Sequence, residues 1–443
     1  MVGIAAVAVV ILPCSLYVAS AYTAARYEAA RRAVANASSV KSLSFCSNYN
    51  RTSIRSRVIH SDLPFVDMDE ITPYRRVPPS KNAIFCVYQN DVLLKYPKLR
   101  YRINDIPGTY CTHLLYYKAG VTSDGSLYSK NPVIDETYRG YKMASELKNI
   151  YPHLKVLLAV GGGPHLEDTV RFSHMSSNLN RTRAFADRAY WWLVNQAFDG
   201  LHIDWRYPGG DCGKPSDKKN YLRLVETLRE RFGSRFLITV GVPHQNEVRH
   251  RGYHLPGLAD NVNYLLVSTH ELTNTSSGRT RCPGPYTEQP RLGTTVYEVV
   301  HTLKHEIPRE HRDILCFSVS LRGVSWTLRS SSEFAVGSLA QSAGSPTGNT
   351  QEAGLMEYTH VCRFYLRDIV DRFGLCSFAV HARNWVSYEG TRTIAVKLAR
   401  MRKDMGTGGL CMAVWNLEMD DFGAECDSVR APLLRAIYDA LSS

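Results

Sequence analysis

The sequence predicts an α/β protein built as a (β/α)8 TIM barrel, and three observations carry that prediction. Short, almost continuous apolar runs recur eight times, at 83–88, 112–117, 155–160, 200–204, 236–241, 264–269, 314–320 and 410–416. Helical patterns separate them, as at 217–232, where Leu222, Val225 and Leu228 recur at helical spacing. Strands apolar on both faces, with helices between them, belong to a parallel sheet covered on its outside. The chain is also long enough, because 443 residues with 44% hydrophobic content hold a barrel of about 250 residues and leave material for appendages. In such a barrel the functional side chains sit where the strands end.

Ahead of the barrel, the first 25 residues contain no Lys, Arg, Asp or Glu, and residues 2–12 form a run of small apolar side chains that stops at Pro13. That is the size of the apolar region of a signal peptide. Ala19-Ser20-Ala21 has the form of a cleavage site, whereas extension of the run to Ala25 would serve a membrane anchor. Residues 1–25 therefore read as a signal peptide or a signal anchor. Arg26, Arg31 and Arg32 follow, and by the positive-inside tendency they would keep the remainder cytosolic. Glycosylation and cysteine usage argue against that. Asn36, Asn50, Asn180 and Asn274 each open an Asn-x-Ser/Thr triplet, which suits a lumenal glycoprotein. Eleven cysteines, or ten without Cys14 of the leader, suit disulfides in an oxidising compartment. The expectation is a secreted or extracellular protein, or a membrane-anchored one with a lumenal or extracellular domain. Residues 26–80 keep no helical or strand period and carry Pro64, Pro73, Pro78 and Pro79, so they read as a linker or pro-segment.

Several function classes find no support. The formal charge of +12 is dispersed, with few dense runs beyond Arg31-Arg32 and Arg75-Arg76, so no nucleic-acid partner is expected and the membrane enters only through an N-terminal anchor. His244, His250, His254 and His360 lack paired ligand spacing, so no metal is expected, and Gly161-Gly162-Gly163 leads to Pro164 rather than to a phosphate-cradling Gly-Lys-Ser/Thr. No cofactor is expected.

The informative stretch is Phe198-Asp199-Gly200-Leu201-His202-Ile203-Asp204-Trp205-Arg206-Tyr207-Pro208-Gly209. Side chains alternate faces along a strand, so His202, Asp204 and Arg206 share one side. The stretch resembles the signature of the family 18 glycoside hydrolases, the chitinases and chitinase-like lectins, which runs Asp-Gly-x-Asp-x-Asp-x-Glu and then Tyr-Pro. Asp199, Gly200, Asp204, Tyr207 and Pro208 match it; His202 replaces an Asp, and Arg206 replaces the Glu. The resemblance implies a division of labour in which the Glu protonates the leaving oxygen while the preceding Asp orients the substrate's own N-acetyl group for attack, a substrate-assisted form of glycoside hydrolysis. A guanidinium has only donors and stays protonated, so Arg206 cannot act as the general acid. With Asp199, His202, Asp204 and Arg206 forming a degenerate motif, the chain is expected not to be an active enzyme.

Further stretches carry the resemblance across most of 83–441: Thr112-His113-Leu114-Leu115-Tyr116, the run from Lys155 to Gly162, and Trp415-Asn416-Leu417-Glu418-Met419-Asp420-Asp421-Phe422. It implies a barrel domain over 81–441 with a small α+β insertion between strands 7 and 8, at about 327–384. It also implies disulfides Cys86–Cys111 and Cys362–Cys426. From their loops, Cys212 and Cys282 are a candidate pair; Cys316 and Cys411, inside apolar strands, read as inert buried thiols; Cys46 and Cys376 stay unassigned.

The sugar cleft that the resemblance implies has changed widely. Its strand-one Tyr and following Trp become Val87 and Asp91, its strand-two Phe becomes Lys118, its Met-x-Tyr-Asp becomes Ser268-Thr269-His270-Glu271, and its strand-seven Tyr becomes Arg322. Tyr207 and Trp415 are retained and, with Glu271, are the ligand-binding candidates, although Trp415 reads equally as a barrel-core residue. His202 reads as a satisfied core histidine. Arg206, Asp204 and Glu271 are expected to converge and fill the place of the sugar; alternatively Lys118, Arg206 and Arg322 form a cationic mouth. The main functional expectation is a chitinase-like protein that binds chitin or other N-acetylglucosamine-containing glycans without hydrolysis. The alternatives are a protein-interaction scaffold with a plugged cleft and a protein partner, or an active chitinase with a relocated acid, for which Glu271 is the candidate.

Overall fold

The computed structural model describes residues 82–162, 166–365, 368–426 and 428–442. The leader at 1–25, the segment at 26–80 and the triplets at Asn36 and Asn50 lie outside the described residues.

Eight strands form the barrel: β1 (Ala83–Gln89), β2 (His113–Val121), β3 (Lys155–Gly161), β4 (Gly200–Asp204), β5 (Leu237–Val242), β6 (Tyr264–Val267), β7 (Leu315–Ser320) and β8 (Cys411–Trp415). Each pairs in parallel with its neighbours in sequence, and β1 pairs with both β2 and β8, which closes the sheet. The two-residue period explains why the strands are apolar throughout. Phe85, Val87, Leu115, Tyr117, Leu157 and Ala159 pack together inside the barrel, while Ile84, Cys86, Leu114, Tyr116, Val156 and Leu158 pack in the layer beneath the helices.

The helix Asp217–Phe232 buries Tyr221, Leu224, Val225, Leu228 and Phe232, a stripe that recurs every three or four residues. Leu222, expected on that stripe, is only partly buried. Gly233 stops the helix, with φ +52 and its N–H bonded to the Arg229 carbonyl, a backbone conformation open to glycine.

Between β7 and β8 lies a separate antiparallel sheet, ordered 340–343, Gly323–Leu328, Asn384–Tyr388, Cys376–His381 and Ile369–Asp371. It accompanies the helix Tyr358–Phe364. This insertion starts earlier and ends later than 327–384, because Asn384 pairs with Thr327 and the strands run on from there to Ser387 opposite Val324. Trp326, Trp385 and Phe378 fill its core.

Cys86 is joined to Cys111 and Cys362 to Cys426. The other cysteine expectations are corrected. Cys282 is joined to Cys376, not to Cys212, which is disulfide-bonded elsewhere. Cys316 and Cys411 are not thiols but a disulfide. They are register partners on β7 and β8, both pointing into the barrel, with Cα atoms 4.4 Å apart. Parallel neighbours facing the same way bring their Cβ atoms within bonding range, a relation that sequence spacing does not reveal.

Candidate functional site at the barrel mouth

Asp204 ends β4, and its carboxylate accepts hydrogen bonds from β2 and from the turn that follows β4. It accepts a hydrogen bond of 3.0 Å from the Tyr117 hydroxyl of β2. It also accepts the single N–H of Arg206 Nε, shared between its oxygens at 3.0 Å to Oδ1 and 3.1 Å to Oδ2. Gly162, just past β3, leaves room for this: a Cβ there would collide with the Tyr117 hydroxyl and the Asp204 carboxylate. Arg206 then extends Nη1 to Glu271 Oε1 at 2.8 Å. Glu271 closes the short turn Thr269–Glu271 after β6. One guanidinium therefore bridges two carboxylates across the mouth, and its backbone is held by a hydrogen bond from the Thr169 hydroxyl to the Arg206 carbonyl.

Burial alone would push Asp204 up, but the Arg206 charge, helped by His202 and the Tyr117 hydroxyl, holds its carboxyl below the usual carboxylate range. Glu271 goes the same way and further: burial opposes, while the hydrogen bond and charge of His270 and the charge of Arg206 hold it well below the usual range. Both acids are ionised near neutral pH.

The remaining site residues fall into place around this bridge. His202 is buried, with Nδ1 2.8 Å from the Thr239 hydroxyl, and burial lowers its pKa to about 4, so it is neutral, as a core histidine should be. Asp199 stands apart from the site; it precedes β4 and ties β3 through the Val156 N–H at 2.8 Å and the helix Gly140–Ile150 through Lys148 at 3.1 Å. Trp415 ends β8 with His270 stacked on its ring, centroids 4.5 Å apart, and Tyr117 edge-on at 4.9 Å. His270 is fixed in turn by Ser318, whose hydroxyl lies 2.7 Å from Nδ1. Tyr207 joins Trp415, His202, Asp204 and Arg206 around a cavity of about 20 Å³, room for about one water and no sugar ring. Lys118 donates to the Gly162 carbonyl at 2.9 Å, and burial lowers its pKa. Arg206 faces two anions, so the mouth is not a cluster of unopposed cations.

Tyr117 and Ser318 were missed by sequence reasoning. Alternation along β2 from Leu115 was the available signal for Tyr117; nothing local marks Ser318. Asn180 and Asn274 are exposed. Among the described residues no three His, Cys, Asp or Glu side chains gather as metal ligands, and no helix is long and apolar enough to cross a membrane.

The chain is thus a closed eightfold barrel with a carboxylate at the end of its fourth strand and an α+β insertion after its seventh. The chain belongs to the glycosyl hydrolases family 18, whose model matches residues 91–420. It is 27% identical to an endochitinase of Manduca sexta over 82% of this chain and 68% of that one. The fold superimposes on a Group IV chitinase of Ostrinia furnacalis in complex with allosamidin, with TM-score 0.73, 25% identity, and coverage of 81% of this chain and 98% of that one. It superimposes likewise on human YKL-39, described as a pseudo-chitinase with retained chitooligosaccharide binding, with TM-score 0.70, 23% identity, and coverage of 82% and 100%.

Proposed function

We propose that this chain is a chitinase-like protein that binds N-acetylglucosamine-containing glycans and does not cleave them. One observation carries the reading: Arg206, at the position where the family signature has its proton-donating Glu, is salt-bridged on both sides, to Asp204 and to Glu271. Cleavage requires a group that gives a proton to the glycosidic oxygen near neutral pH, which a guanidinium does not do. Glu271 does not replace it, because a general acid needs a raised pKa and Glu271 is held low. Asp204 faces the same obstacle, with both carboxylate oxygens already accepting hydrogen bonds from Arg206. Glycan binding is supported by the partly exposed rings of Tyr207 and Trp415 at the mouth and by the family.

A second reading, a scaffold that engages a protein partner, is favoured by the size of the cavity, which does not admit a sugar ring. Export suits both readings, through the apolar leader, the four acceptor triplets and the disulfides, the last of which persist in oxidising compartments.

The test is equilibrium binding of the secreted, glycosylated protein to chitin and to N-acetylglucosamine oligomers of increasing length, with product analysis alongside. Saturable binding without released sugar is expected. Released sugar overturns the non-hydrolytic reading, and absence of binding transfers the case to the scaffold.

A further inference from the structure

Away from the mouth, a cavity of about 410 Å³ opens on the outer wall, between the connection from β1 to β2 and the start of the helix Pro432–Ser442. That size falls within the range of small-ligand sites. The rings of Tyr110, Tyr151 and Phe422 supply its apolar surface. Each ring is positioned by a neighbour. Tyr151 presses on Gly108, where an added Cβ would overlap the ring; Phe422 meets Tyr101 edge-on at 4.9 Å; Tyr110 packs on Tyr438 at 5.4 Å.

Much of the polar lining is uncharged and available. The side chains of Asn104, Thr109 and Ser428 and the hydroxyls of Tyr110 and Tyr151 have no hydrogen-bond partner among the described residues. The charged side chains are matched, Arg430 lying 4.0 Å from Asp105 and Arg435 3.5 Å from Asp439. Each charged side chain of the lining thus has an opposite charge beside it. Both walls are braced: Cys111, next to Tyr110, is bonded to Cys86, and Cys426, close to Ser428, is bonded to Cys362. A cavity shaped before its ligand arrives loses less ordering entropy on binding.

Aromatic faces beside unpaired neutral donors and acceptors match a pyranose, which has an apolar face of C–H groups and a rim of hydroxyls. We propose that this flank cavity is a second binding site, for one or two uncharged sugar residues, distinct from the barrel mouth and not dependent on it.

The probes are N,N′-diacetylchitobiose, lactose and mannobiose, each titrated into the full glycosylated protein and followed by hydrogen exchange and saturation-transfer NMR. At least one is expected to protect the amides of 104–110 and 428–430. Its affinity is expected to fall about tenfold or more in Tyr151→Ala and in Thr109→Trp, which fills the cavity while leaving the aromatic walls in place. Protection confined to residues around His270 and Trp415 places the sugar at the mouth and overturns the proposal, as does unchanged binding in Thr109→Trp or no protection of either segment by any of the three sugars.

Discussion

Lys397 and Arg206 are two of the cations that meet carboxylates in this barrel, and they differ in stoichiometry, one carboxylate for the lysine and two for the arginine. Lys397, on the helix Thr391–Met405, gives Nζ to both oxygens of Glu389 at 2.6 and 2.7 Å and to the Gly284 carbonyl at 2.8 Å. Both side chains are almost wholly dehydrated, 4% and 2% exposed. Arg206 serves two carboxylates and remains 21% exposed. The Lys397 pair carries no net charge and is shut off from solvent; the Arg206 assembly carries one more anion than cation and sits where the barrel opens. The titration directions differ as well. Burial pushes Glu389 up, only partly offset by Lys397, whereas for Asp204 the guanidinium wins and the carboxyl is held down. Similar chemistry thus fastens the chain in one place and fills a cleft in the other.

The largest effect should come from breaking the closed pair. Glu389→Ala leaves an ammonium buried without its anion and should cost about 3–5 kcal/mol, read as a drop in the thermal midpoint of the secreted protein. Replacing both partners with apolar residues of similar volume, Glu389→Leu with Lys397→Met, should restore most of it. A single-variant loss below about 1 kcal/mol, the level of an exposed pair, would remove the distinction drawn between the two assemblies.

A smaller effect is expected at the mouth, where solvent reaches the bridge. Arg206→Ala should lower stability at neutral pH by about 1–3 kcal/mol, the cost of leaving buried acceptors unpaired. Because Asp204 and Glu271 are depressed in the folded protein, the stability they contribute is present above their unfolded values near 4 and is lost as pH falls through the folded ones. The difference between wild type and variant should therefore shrink in acid. Denaturant unfolding at neutral pH and near pH 3 checks this; an equal difference at both would show that the bridge contributes nothing electrostatic.

Trp415→Ala should produce the smallest change, weakening N-acetylglucosamine oligomer binding by about 0.5–1.5 kcal/mol, the value of one aromatic contact. Isothermal titration against the wild type reads it, and an unchanged affinity would make Trp415 a wall of the barrel and nothing more.

The barrel was legible because every strand is buried on both faces and so spells itself as an apolar run; the helix Asp217–Phe232 was legible because its period is strong and Gly233 stops it. The motif around Asp204 was legible because alternation alone puts its side chains on one face. What could not be read depends on distances between strands. The Cys316–Cys411 bond rests on the register of β7 against β8, and the contact of Ser318 with His270 rests on the position of β7 beside the turn after β6. Local signals led astray where a neighbour outvoted them: Leu222 looks as apolar as Leu224, but only the latter faces the sheet.

The same Cys316–Cys411 bond has a consequence for proteolysis. The exposed residues 331–335 of the insertion present a natural target for a protease. A cut there separates the chain into two polypeptides that remain joined by Cys282–Cys376 and Cys316–Cys411. On a denaturing gel without reductant the nicked protein migrates as one species, and only with reductant as two. In an oxidising, protease-rich setting the molecule can be clipped at this exposed loop and still keep its first and last barrel strands in one covalent body.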